Sequence, residues 1–197
     1  NAPTAYWRLW STNSDPFDAT NGDQLGALSP DFTQYNAHYG TTQVLGQGNG
    51  TLYTLAPQLS LLLSGTISKT YDGTANVTLT GSNIVANGTV NSDTIASLTA
   101  TSSTFTDAGT GSSIEGVGTG KTVTATGLNS VLASHNGKPV YGYLLQTQNA
   151  TGTGEITQAP LTLNITKTYD TTADFSLTNN YTLSGVGAGD TNVGLSG

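Results

Sequence analysis

Ile67-Ser68-Lys69-Thr70-Tyr71-Asp72-Gly73 decides the reading of this chain, because it returns as Ile165-Thr166-Lys167-Thr168-Tyr169-Asp170-Thr171. The offset is 98 residues. A near-identity of six residues at one offset signals tandem modules. Thr and Tyr favour an extended strand. Asp accepts bonds from the backbone amides that follow it, and Gly supplies a positive φ. The unit therefore reads as a strand running into a turn. Its lysine has a local carboxylate to pair with. Tyr71 can cover a thin core while its hydroxyl reaches solvent or a partner. The second copy has Thr171 in place of Gly73. If that position needs a positive φ, its turn must differ or be strained.

The neighbourhood of the signature repeats as well. Val77 and Leu79 are matched by Phe175 and Leu177, and Gly88–Asp93 loosely by Gly185–Asp190. Three parts follow: a Trp/Tyr-rich lead-in at 1–57, a complete module at 58–157, and the opening of a second, truncated module at 158–197. Strand candidates recur throughout: Tyr6–Trp10, Thr51–Leu55, Ile95–Leu98, Lys121–Thr126, Val140–Leu145 and Glu155–Ile165. Asp72-Gly73, Asn87-Gly88 and Asn136-Gly137 are turn or hairpin signals between them. No window holds a helical period. The expected fold is all-β: small modules of sandwich or β-grasp-like form, in an elongated arrangement.

Composition narrows the partners. The chain has 12 acidic and 5 basic residues, with Arg8 its one arginine. No basic stripe is present to neutralise phosphates, so nucleic acid is not an expected partner. No apolar run is long enough to span a bilayer, so membrane insertion is not expected. There is no cysteine, hence no disulfide frame. There is no methionine even at position 1, so a mature or excised piece is expected.

Candidate chemistry is sparse. His38 and His135 lie in different segments, with no nucleophile motif around either. Glu115 and Glu155 have nothing to order them as a glycosidase pair. Asp15, Asp18 and Asp23 are the candidates for a calcium loop, but their spacing matches no calcium motif. No metal, no cofactor and no catalytic residue is expected. Trp7, Trp10 and Tyr39 are candidates for ring stacking on a glycan, against the plainer reading of a small aromatic core. Asn-x-Thr sequons stand at Asn49, Asn76, Asn87, Asn149, Asn164 and Asn180.

The signature Lys69-Thr70-Tyr71-Asp72-Gly73-Thr74 resembles the opening of the YDG domain, a module of filamentous-haemagglutinin-like exoproteins. Gly88–Asp93, Phe105-Thr106-Asp107-Ala108-Gly109, Thr122-Val123-Thr124 and Ile156-Thr157-Gln158-Ala159-Pro160-Leu161-Thr162 resemble later parts of that module. Residues 1–57 look like its Trp-rich lead-in. Val140-Tyr141-Gly142-Tyr143-Leu144 departs from the family's Asn-Tyr-x-Leu segment, and Gly-rich residues 110–120 look like an insertion. The signature residues are Lys69, Tyr71, Asp72, Gly73, Lys167, Tyr169 and Asp170. The resemblance implies a non-catalytic stalk or display module of a large secreted bacterial surface adhesin. Its partners would be an outer-membrane secretion pore protein and an unidentified surface receptor. The alternatives are a subunit of a self-assembling extracellular filament, joined by edge strands, and a glycan-binding module.

Overall fold

A computed structural model describes residues 5–107, 109–113, 115–174, 181–187, 189–191 and 193–194. Phe175, Leu177, Asn180 and Gly197, and the Ala108 and Ile114 positions of the quoted stretches, lie outside the described residues. The chain is all-β. The first strands are β1 (Arg8–Ser11), β2 (Phe32–Gln34), β3 (Gly50–Tyr53), β4 (Gln58–Leu63) and β5 (Ser68–Thr70). After a short 3-10 turn at Gly81–Asn83 come β6 (Ile84–Asn87), β7 (Thr94–Thr99), β8 (Ser102–Thr106) and β9 (Gly118–Thr126). Then follow β10 (Asn129–His135), β11 (Lys138–Tyr141), β12 (Leu144–Leu145) and β13 (Ala150–Thr157). The last two are β14 (Thr162–Ile165) and β15 (Tyr181–Ser184).

These strands form two compact units that interleave along the chain. The first takes residues 1–65, 79–102 and 125–151, and the second 66–78, 103–124 and 152–197.

The first unit holds a mixed sheet in the order β1-β3-β2-β11-β10-β7 and a smaller one in the order β12-β4-β6. The strands β1, β3, β2 and β11 run parallel, while β10 is antiparallel to both its neighbours. Asn136 (φ 48°) and Gly137 (φ 77°) close the β10–β11 hairpin. Two successive positive φ values match the twist of the strands they join. Every residue of β2 and β3 is buried, as for central parallel strands covered on both faces. The buried hydroxyls of Thr33 and Thr51 bond each other at 3.0 Å. Gly50 stands where Phe32 needs room, since a Cβ there would lie 2.2 Å from the ring.

Most lead-in aromatics are core. Tyr35 and Tyr53 pack with Leu59, Val140 and Tyr143, and Phe17 meets both tyrosine rings edge-on. Phe32 and Leu52 form a second cluster, against which Trp10 packs.

The second unit holds a sheet in the order β5-β13-β9-β8 and the hairpin β14–β15. Ile67, Val77, Phe105, Val123 and Ile156 are among its buried side chains. Gly154 lets β13 lie close, because a Cβ there would be 3.0 Å from Val123 and 3.1 Å from Phe105. The run Glu155–Ile165, expected as one strand, breaks at 158–161. Pro160 has no N–H for a ladder, so β13 ends before it and β14 begins after it.

Candidate functional site

Both signature copies fold into the same lysine-centred turn. Asp72 Oδ1 accepts from the Thr74 amide at 2.9 Å and from its hydroxyl at 2.8 Å. Lys69 Nζ then bonds Asp72 Oδ1, the Thr74 carbonyl at 2.9 Å and the Asn76 carbonyl at 2.7 Å. In the second copy Asp170 accepts from the Thr172 amide at 3.0 Å and hydroxyl at 2.9 Å. Lys167 bonds Asp170, the Thr172 carbonyl and the Asp174 carbonyl. The Lys69 ammonium, ahead of the Thr74 donors, pulls the Asp72 carboxyl down to about 2. Lys167 likewise holds Asp170 below the ordinary carboxylate range.

The glycine position tests the turn. Gly73 has φ 74°, and Thr171 is held at φ 68°. The second turn is thus strained rather than different, since a β-branched residue there is an outlier.

The Gly–Asp stretches are also built alike. Gly88 (φ 102°) and Gly185 (φ 90°) each place a would-be Cβ 2.2 Å from a backbone carbonyl, of Gln58 and Pro160 respectively. In each stretch the Asp amide bonds the carbonyl three residues back: Asp93 to Val90 at 2.9 Å, Asp190 to Gly187 at 3.2 Å. Each Asp then receives a tyrosine hydroxyl. Tyr35 and Tyr143 donate to Asp93 Oδ2 at 2.7 and 2.8 Å, and Tyr71 donates to Asp190 Oδ1 at 2.6 Å. Burial, reinforced for Tyr35 by its bond to Asp93, pushes the Tyr35 and Tyr143 hydroxyls well above the ordinary tyrosine range. The bond to Asp190 raises Tyr71 as well.

Asp93 was not marked as a site residue in the sequence. Its side chain is wholly buried, and His135 Nδ1 lies 3.1 Å from Oδ1. A carboxylate only accepts, so Nδ1 carries the proton, and Nε2 accepts from the Asn136 amide at 3.0 Å. Such an Asp–His pair is the orienting half of a triad, but here Nε2 meets an amide rather than a nucleophilic hydroxyl. The loose match of Gly88–Asp93 to Gly185–Asp190 was the one sequence signal for it.

No family model, curated protein or solved structure matches the chain.

The other candidates scatter. Trp10 and Tyr39 meet edge-on at 5.4 Å, with Tyr39 81% exposed. Trp7 makes no ring contact among the described residues; its amide bonds Asn49 Oδ1 at 3.0 Å. Asp18 caps its own turn, accepting from the amides of Thr20 and Asn21, chiefly Asn21, which lowers its pKa. Asp15 supplies a backbone carbonyl to the Asp18 amide, and Asp23 accepts from Asn13. Among the described residues no three acidic or histidine side chains converge as a metal site. An open cleft of about 700 Å³ in the first unit is lined by Phe17, Leu25, Leu28, Asp23, His135 and Lys138. Asp23 Oδ2 is buried without a hydrogen-bond partner.

Proposed function

We propose that the chain is a non-catalytic stalk or display segment of a large secreted bacterial surface adhesin, assembled from YDG-type repeats. The observation that carries this reading is the duplicated signature turn. In both copies the conspicuous Lys, Asp and Thr groups are spent on one another and on backbone carbonyls. A motif that satisfies itself is a building unit. Export through an outer-membrane pore protein, display at the cell surface and an unidentified receptor belong to this proposal. The test is light scattering coupled to gel filtration, with small-angle scattering on the peak. A monodisperse monomer, longer than a 20.1 kDa sphere, is expected. A regular fibre or closed oligomer would replace the stalk with the filament alternative.

A glycan-binding reading is favoured by the exposed Tyr39 ring against Trp10. Tyr39→Ala is its clean test, because Trp10 also packs on the core. Loss of binding on a glycan array with an unchanged unfolding midpoint would support it. No array signal for the parent chain would remove it.

A further inference from the structure

The signature tyrosine and the Gly–Asp loop are two halves of one joint. Tyr71, in the first signature, donates to Asp190 of the second loop at 2.6 Å. Its ring lies so close that a Cβ on Gly187 would be 2.7 Å from ring atom Cε1 and 2.8 Å from the Gly73 amide. Tyr71, Val117, Leu161, Val186 and Val193 line the groove around this contact, about 260 Å³. The first Gly–Asp loop has Val90 where the second has Gly187, and its Asp93 takes two tyrosines: Tyr35, from the lead-in before the repeats, and Tyr143, from later in the chain. Each loop aspartate thus receives a tyrosine from an earlier part of the chain, and Asp93 a second from a later part.

The second signature has no such cover. Tyr169 is 87% exposed, and its hydroxyl has no hydrogen-bond partner among the described residues. The strand β5 of the first signature pairs with β13, whereas no described strand pairs with 166–168. Leu163 and Ile165 beside it are also exposed.

We propose that Tyr169 is a docking donor for the Gly-x-Gly-x-x-Asp loop of a further repeat, following in tandem. Both loops within the chain are already taken, so neither can serve Tyr169. The occupant must carry an acceptor carboxylate at the position of Asp190. It must also carry glycine at the position of Gly187, where the ring leaves no space for a side chain. An array would then be locked by one such joint between each repeat and the next. Tyr71–Asp190 is the first joint, and Tyr169 is the donor of the second.

The inference rests on the tandem-repeat part of the stalk reading and not on its adhesive role. The experiment compares the chain with a version extended in frame by a second copy of residues 100–197. Tetranitromethane nitrates exposed tyrosines, and mass spectrometry reads each site. In the parent chain Tyr71 should be nitrated at least tenfold more slowly than Tyr169. In the extended chain Tyr169 should slow to the rate of Tyr71, while the duplicated Tyr169 stays fast as an internal reference. Asp190→Ala or Gly187→Val in the added copy should restore the fast rate at Tyr169. In the parent chain the same substitutions should expose Tyr71 and leave Tyr169 unchanged. Equal nitration of Tyr169 in the parent and extended chains would overturn the joint. So would a Tyr71 that reacts as fast as Tyr169 in the parent. Either failure would leave the stalk reading to stand or fall on its scattering test.

Discussion

The two signature copies share every local bond and differ in their surroundings. In the first, Lys69 is nearly covered, Tyr71 is docked on Asp190, and β5 is paired with β13. In the second, Lys167 is more open and Tyr169 stands in solvent. Yet the lysine–aspartate–threonine turn closes identically in both. The turn is therefore encoded by the eight residues from the lysine to the last carbonyl it reaches, 69–76 and 167–174. Sheet pairing and tyrosine docking come from residues far away in sequence. Local chemistry makes the unit, and long-range partners decide how firmly it is held.

The largest contrast lies in the two Gly–Asp loops. Asp93→Ala would strand the buried hydroxyl of Tyr35, leave that of Tyr143 only its bonds to the Val90 backbone, and remove the carboxylate partner of His135. Each unsatisfied buried group costs about 1–3 kcal/mol, so a loss of about 3 kcal/mol or more is expected. Urea unfolding should show a lower midpoint with an unchanged slope. Asp190→Ala removes one bond to the half-buried Tyr71 and should leave the global midpoint unchanged. Equal effects would mean that Asp93 does not organise the first unit.

The next contrast is the turn position itself. A left-handed conformation costs a residue with a Cβ roughly 1–2 kcal/mol. Gly73→Thr should therefore destabilise by about 1–2 kcal/mol. The reciprocal Thr171→Gly should relieve strain, offset partly by the greater freedom of glycine in the unfolded chain. The expected gain is about 1 kcal/mol or less, seen as slower amide exchange at Thr172. No change in either variant would mean that the second turn accommodates threonine without strain.

Part of this was legible in the residues. Period-two alternation and turn dipeptides identified an all-β chain, because both are local. Asp72-Gly73 announced the turn, and Gly73 against Thr171 announced that the second turn would be either different or strained; its φ of 68° makes it strained. The parallel pairing of β1, β3, β2 and β11 was not legible. Nothing local distinguishes a parallel neighbour from an antiparallel one when the connections are long. The Asp93 cluster was equally hidden. Its members come from three places, residues 35, 93 and 135–143, and only folding brings them together. The core reading of the lead-in aromatics holds for Phe32, Tyr35 and Tyr53, which are buried, and less for Trp7 and Trp10, which are half-buried. Tyr6 and Tyr39 stay exposed, and Tyr39, set against Trp10, leaves a binding surface to test.

The smallest contrast is in acid. Asp72 is held at about 2, below its ordinary 3.8, by Lys69 first and then by Thr74. A lowered carboxylate stabilises above its ordinary value, and that contribution fades as pH falls from about 4 through about 2. Asp170 is lowered by the equivalent lysine and should follow the same direction. Both carboxylates are more than half exposed, so global stability should barely move. The effect belongs to the turns. Carboxyl-carbon NMR should place the Asp72 titration near 2, with faster amide exchange at Thr74 below it. In Lys69→Met the titration should climb back toward 3.8, and Asp170 should not change. If Asp72 titrates at its ordinary value with Lys69 present, the ammonium is not the centre of the turn. The signature would then be held by the aspartate–threonine bonds alone, and its lysine would need another explanation.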